Sequence, residues 1–175
     1  KDSRFEIITN NKNLGAEATF TRCLNFKIST YTAIYHADDI YHEDIINEQV
    51  NYLEGNRDVG CVFTRGEYLF DENKSKKDMF IPGEVFSKYD GKLNFVESFK
   101  LILNHHNFFI CPSAMARTSI YNEVVKVWNY LKYKTSSDLD VWLRISRSYK
   151  LGIINKSLIQ YRVSENSYTV RNVKL

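Results

Sequence analysis

The chain has 175 residues, 43% of them apolar and 26% charged, and a formal net charge of +3. That length carries one domain with a proper core, and the composition excludes a disordered chain. So small a positive charge makes no case for nucleic acid, and Lys74, Lys76 and Lys77, set among Asn73, Ser75 and Asp78, read as a solvated loop.

In chain order, residues 4–9 (Arg-Phe-Glu-Ile-Ile-Thr) have the composition of a strand, and residues 10–15 that of the turn ending it, with Gly15 free to take positive φ. Phe20, Cys23 and Leu24 recur at helical spacing, which predicts a helix over 16–26, and residues 31–35 predict the next strand. A strand, helix and strand in that order point to a parallel pair with a crossover. The second strand opens an apolar run, Thr32 to Tyr41, that is broken by the adjacent carboxylates Asp38 and Asp39. Acid at the end of a strand suits a hard divalent cation, which takes one or two carboxylates and fills its other positions with water and phosphate oxygens. The same pair would equally serve as a helix cap and its dipole partner.

Residues 43–54 place Ile45, Ile46, Val50 and Leu53 on one helical face that ends at Gly55. Residues 59–71 predict a long strand, 72–93 a mobile loop, and Phe95, Phe99, Ile102 and Leu103 a short amphipathic helix. His105 and His106 that follow project about 100° apart, a poor joint metal site. Residues 108–117 predict a strand entered through Pro112, and Thr118 or Ser119 a cap for a helix running toward Leu131. Residues 137–140 have the form of a capping box, opening a helix with Leu139, Trp142, Leu143 and Tyr149 inward and Gly152 at its close. A last strand is expected over 153–163, followed by a polar tail. Cys23, Cys61 and Cys111 are odd in number and widely spaced among apolar residues, as reduced cysteines of an intracellular protein would be. No apolar run approaches the length of a membrane span.

Taken in order, Asn13-Leu14-Gly15, His36-Ala37-Asp38-Asp39, Asn107 with Pro112-Ser113 and Arg117, the run from Asp138 to Arg144, and Tyr161-Arg162 resemble the family 2 glycosyltransferases of GT-A fold. The resemblance implies an α/β, Rossmann-like central mixed sheet with flanking helices. It also implies transfer of a sugar from a nucleotide-sugar donor to a glycan or other hydroxyl acceptor, by inversion and with Mn²⁺ or Mg²⁺. Asp38 and Asp39, with His36, match the family's metal-holding motif, though His36 stands where the first Asp of that motif is usual. Asn13, Gly15 and Asp38 match its donor side. Asp138 matches its catalytic base, and Ser137 replaces the Glu that often precedes it. Arg144 and Arg162 fall on the acceptor or phosphate side.

The family's first strand, its helix and its second strand, which recognise the nucleotide base, have no counterpart here. The expectation is therefore one domain over 1–175, the metal-binding and acceptor-side portion of such an enzyme, truncated at its N-terminus. An exposed strand edge near residues 4–9 would favour self-association. The expected location is cytoplasmic, with the inner face of a membrane as a peripheral alternative. Two rival readings stay open: a catalytically inactive interaction module of this fold, and a nucleotidyltransferase.

Overall fold

The computed structural model describes residues 3–26, 29–70, 76–133 and 136–163. Lys74 with its neighbours Asn73 and Ser75, and the polar tail, lie outside them. Two long strands form the centre, β3 (Val59–Phe70) and β7 (Lys150–Val163), paired in parallel along their length. Residues 59–64 of β3 are buried, as expected of a central strand covered on both faces. The sheet runs β1 (Tyr31–Ala33), β6 (Met115–Arg117), β3, β7, β2 (Ile40–Tyr41). β4 (Lys76–Asp78) adds to β3 and β5 (Lys92–Leu93) to β7, and every pair other than β3 with β7 is antiparallel. The sheet is thus mixed, as the sequence implied.

Alternation along β3 sends Val62 to one face and Cys61 and Phe63 to the other. On the first face α2 (Ile45–Gly55) packs Leu53 with Val59, Val62, Met115 and Ile154. On the second, α3 (Glu84–Ser87), α4 (Phe95–His105) and α7 (Ser137–Ser146) contribute Val85, Leu101, Val141, Trp142 and Ile145 to a larger core. Trp142 meets Phe63 edge-on at 4.9 Å. Truncating so buried an aromatic costs about 3–5 kcal/mol. α1 (Ala16–Cys23) and the 3₁₀ turn after it deliver Leu24 to the same core.

Several expectations need correction. Residues 4–9 form no strand, and Phe5 and Ile7 are 73% and 83% exposed. Strand composition becomes a strand only beside a second strand that takes its N–H and C=O groups, and among the described residues no strand of the sheet pairs with it. Among the described residues one edge of the sheet is β1, which itself ends at Ala33. Residues 76–93 hold two short strands and α3, where a loop was expected. Ile46 is 57% exposed, and the α2 stripe that faces inward is Ile45, Gln49 and Leu53.

Residues 108–110 are buried without being a strand, and residues 111–113 turn as a 3₁₀ helix before β6. The helix α5 (Thr118–Ile120) widens into a π turn over Tyr121–Val125 and stops at Lys126, whose φ is +58°. A separate helical turn, α6 (Tyr130–Tyr133), precedes α7. Ser136, and not Ser137, stands at the N-cap of α7, with no side-chain cap. The capping box that does form is Asn94 with Glu97 at the start of α4. Gly152 lies inside β7, where the Tyr52 ring comes within 2.5 Å of the place a Cβ would occupy. It is a close-approach glycine and not a helix stop.

Candidate functional site

The acidic run sits in the turn between β1 and β2, closed by Asp39 N–H donating to the His36 carbonyl at 3.4 Å. The Asp39 side chain is 1% exposed. Its Oδ1 accepts from the Arg162 backbone N–H at 2.9 Å, while its Oδ2 is buried without a hydrogen-bond partner. His36 lies beside it, its Nδ1 3.9 Å from that Oδ2 and its own Nε2 buried without a partner. Asp38 is exposed, and one ligand atom from each of His36, Asp38 and Asp39 lies within 4.8 Å of the other two. Opposite ligands of a Mg²⁺-sized ion stand about 4.2 Å apart, so the three are at the scale of one shared cation.

The electrostatics agree with that use. Burial raises the Asp39 carboxyl to about 6, against the opposing Arg162 backbone N–H, with the Asp38 charge adding to the rise. Burial lowers the His36 imidazole, and the Asp38 charge only partly offsets it. At neutral pH the pair is therefore carboxylate and neutral imidazole, the forms that ligate metal, and not an ion pair. A buried carboxylate oxygen and a buried ring nitrogen, both unpaired, leave a deficit that a divalent cation would fill. The residues present fit the metal that the resemblance implies.

Asp138 opens α7, where the backbone N–H groups are unpaired by construction. Both its oxygens are engaged: Oδ1 accepts from Leu139 N–H at 2.7 Å and Oδ2 from the Asn107 amide at 3.2 Å. Burial raises its carboxyl above the usual range, these hydrogen bonds oppose the rise, and the Glu17 charge adds to it. Glu17 reaches this corner from α1, with Ser137 Oγ 3.5 Å from its Oε1. Cys111 lies between the two acidic motifs. Its thiol is pushed well up, by burial first and then by Asp138, Cys61, Glu17 and Asp39.

The remaining expected residues divide. Asn13 accepts from Gly15 N–H at 2.8 Å, and Gly15 takes φ +81° as the N-cap of α1, so both shape the turn that starts the helix. That turn borders an open depression lined by Thr9, Asn10, Asn11, Lys12, Leu14 and Arg22. Arg162 joins the acidic turn twice, through the backbone N–H on Asp39 and through its Nε, which donates to the Asp38 carbonyl at 2.9 Å. Arg144 serves the fold. It pairs with Asp140 at 2.7 Å and donates to the carbonyls of Val125 and Val127, tying α7 to the end of the π turn. Those bonds engage its guanidinium within the fold. Sequence reading missed Tyr35, Tyr41, Gln49 and Glu17. The signal available for Gln49 was its place four residues from both Ile45 and Leu53, an amide in an apolar stripe.

The fold is shared with the first 349 residues of TarS from S. aureus, solved in complex with UDP-GlcNAc, at a TM-score of 0.65 and 8% identity, over 92% of this chain and 42% of that one. A second structure of the same TarS region superposes at 0.64 and 11% identity, over 95% of this chain and 48% of that one. The description of glycosyl transferase family 2 matches residues 1–125, and the chain belongs to that family. An uncharacterised glycosyltransferase of Methanocaldococcus jannaschii is 31% identical over 179 aligned positions, which take in 99% of this chain and 56% of that protein. The chain thus spans about half the length of that relative. The family match includes the acidic turn and stops short of Asp138.

Proposed function

We propose that residues 1–175 are the metal-binding and acceptor-side portion of an inverting, metal-dependent glycosyltransferase. Its donor would be a nucleotide sugar and its acceptor a hydroxyl of a glycan or similar compound. The observation that carries the reading is the pair of buried, unpaired ligand atoms on His36 and Asp39, with Asp38 beside them. TarS, which shares the fold, was solved with UDP-GlcNAc and with UDP, and this supports a nucleotide sugar as the donor class.

In this reading His36, Asp38 and Asp39 hold a divalent cation, Mn²⁺ or Mg²⁺. Bound there, it would neutralise charge developing on the donor's diphosphate as the sugar leaves. Arg162 fixes the backbone of the acidic turn from the end of β7 and brings a cation to the same corner. Asp138 takes the proton of the acceptor hydroxyl as that oxygen attacks the anomeric carbon. The Asn107 amide and the Leu139 N–H hold both oxygens of that carboxylate in a fixed orientation, and they oppose the burial that would otherwise keep it protonated. The depression beside Asn13 and Gly15 would take the donor's nucleoside side. Among the described residues β1 is one edge of the sheet, and pairing of two copies there is the form of self-association this reading allows.

Calorimetric titration with Mn²⁺, then with UDP in the presence of Mn²⁺, tests the reading. Saturable Mn²⁺ binding that is lost in Asp39→Asn, and UDP binding that depends on Mn²⁺, are expected. Absence of both would favour an inactive module that keeps the family's fold.

A further inference from the structure

Beneath the acidic turn lies a partly buried relay of polar and stacked aromatic side chains that the metal ligands themselves do not account for. Gln49 of α2 has 0% exposure and sits in the helix's inward stripe, an unfavourable place for an amide unless both its ends are paired. Both are. The Tyr35 hydroxyl donates to Gln49 Oε1 at 2.7 Å, and Gln49 Nε2 donates to the Ser113 carbonyl at 2.5 Å. Toward the turn, the Tyr35 ring stacks on Tyr41 at 4.5 Å, and the Tyr41 hydroxyl accepts the His36 backbone N–H at 2.7 Å. Toward the other acid, Ser113 Oγ donates to the Ile110 carbonyl at 2.8 Å and accepts from Thr64 N–H at 3.2 Å. The same 107–113 segment carries Asn107, whose amide holds Asp138.

We propose that Gln49 and Tyr35 are positioning residues that set the acidic turn against the 107–113 segment, so that the cation and the base are held in one rigid frame. The relay runs from the backbone of one candidate ligand, through two tyrosines and an amide, to the segment that orients the base. A merely space-filling role would call for an apolar side chain at position 49, as at Ile45 and Leu53 on the same stripe. Groups behind a metal's ligands fix ligand orientation, and their loss typically weakens metal binding by 10- to 100-fold. This inference rests on the metal reading above.

The test is calorimetric Mn²⁺ titration, with a thermal melt of each protein, on the full chain and on Gln49→Met, Tyr35→Phe and the double variant Tyr35→Phe/Gln49→Met. Gln49→Met leaves the Tyr35 hydroxyl and the Ser113 carbonyl unpaired. It is expected to melt lower and to bind Mn²⁺ about tenfold more weakly. The double variant also removes the stranded hydroxyl, so it should regain melting temperature without regaining Mn²⁺ affinity. Tyr35→Phe, the mildest change, should bind Mn²⁺ several-fold more weakly while staying folded. Unchanged affinity in the folded variants, or affinity that returns in step with melting temperature in the double variant, would overturn the positioning role. Failure of the parent chain to bind Mn²⁺ would overturn the metal reading and this inference together, and the parent's titration alone tells the two failures apart.

Discussion

The two acidic corners of this molecule use the same functional group under opposite conditions. At the turn, Asp39 is almost fully enclosed, has one oxygen without a partner and is raised to about 6. At the start of α7, Asp138 is also raised by burial, but each of its oxygens accepts a hydrogen bond. A carboxylate oxygen and an imidazole nitrogen that are both buried without partners would be satisfied by a cation. A carboxylate held by two donors is complete and aimed. The difference teaches that burial alone does not assign a role to an acid, and that the state of each oxygen does.

The strongest way to sharpen this contrast is to neutralise the two corners separately. Asp138→Asn in the complete protein should lower turnover by about 10²-fold or more, with Mn²⁺ affinity and donor binding nearly unchanged. Steady-state kinetics beside metal titration checks it, and a parallel loss of Mn²⁺ affinity would break the division of labour. Asp39→Asn should do the reverse, weakening Mn²⁺ by about tenfold or more and lowering turnover mainly when metal is limiting.

A smaller effect is expected of Asn107→Ala. It removes a donor that favours the ionised form of Asp138, so that carboxyl should rise further and the acidic limb of the pH–rate profile should move to higher pH. A profile that moves to lower pH, or stays still, would show that Asn107 does not tune the base.

The smallest effect concerns stability without metal. Asp39 in the folded chain holds its proton up to about 6, while in the unfolded chain it loses it near 3.8, so between those values the folded form binds more protons. Stability from this group is present below about pH 4 and is lost as pH rises through about 6. The melting temperature of metal-free parent, minus that of Asp39→Asn, should therefore fall across this window. Saturating Mn²⁺ should reverse the fall above it. A difference that rises with pH would contradict the burial of this carboxyl.

Much of the frame was legible in the sequence because it follows from period. β3 opens on the apolar run Val59–Phe63 and β7 carries Leu151–Ile154, and α2, α4 and α7 are helices as their spacing implied, although Phe95, Phe99 and Leu103 of α4 are exposed and Ser98 and Leu101 face the core. Residues 108–113 were not legible, since Phe108, Phe109 and Ile110 owe their burial to the surrounding core and not to any period of their own, although the helix end at His105 and the strand at Met115–Arg117 were expected. Residues 4–9 failed for the opposite reason, strand composition with no neighbouring strand to pair with. The acidic pair and Asp138 could be read by residue type and order, but the unpaired oxygen on Asp39 could not. Nor could the relay through Gln49, which joins residues up to 64 positions apart. Sequence could suggest Arg144 and Arg162 equally, and only packing separates the one that ties α7 to the π turn from the one that touches the acidic turn.

The most direct measurement is a crystal of the chain soaked in Mn²⁺ and recorded at the manganese absorption edge. An anomalous peak is expected at about 2.2 Å from a ring nitrogen of His36 and from one carboxylate oxygen each of Asp38 and Asp39. A crystal in which Mn²⁺ binds elsewhere, or in which no peak appears between these three side chains at saturating metal, would contradict it.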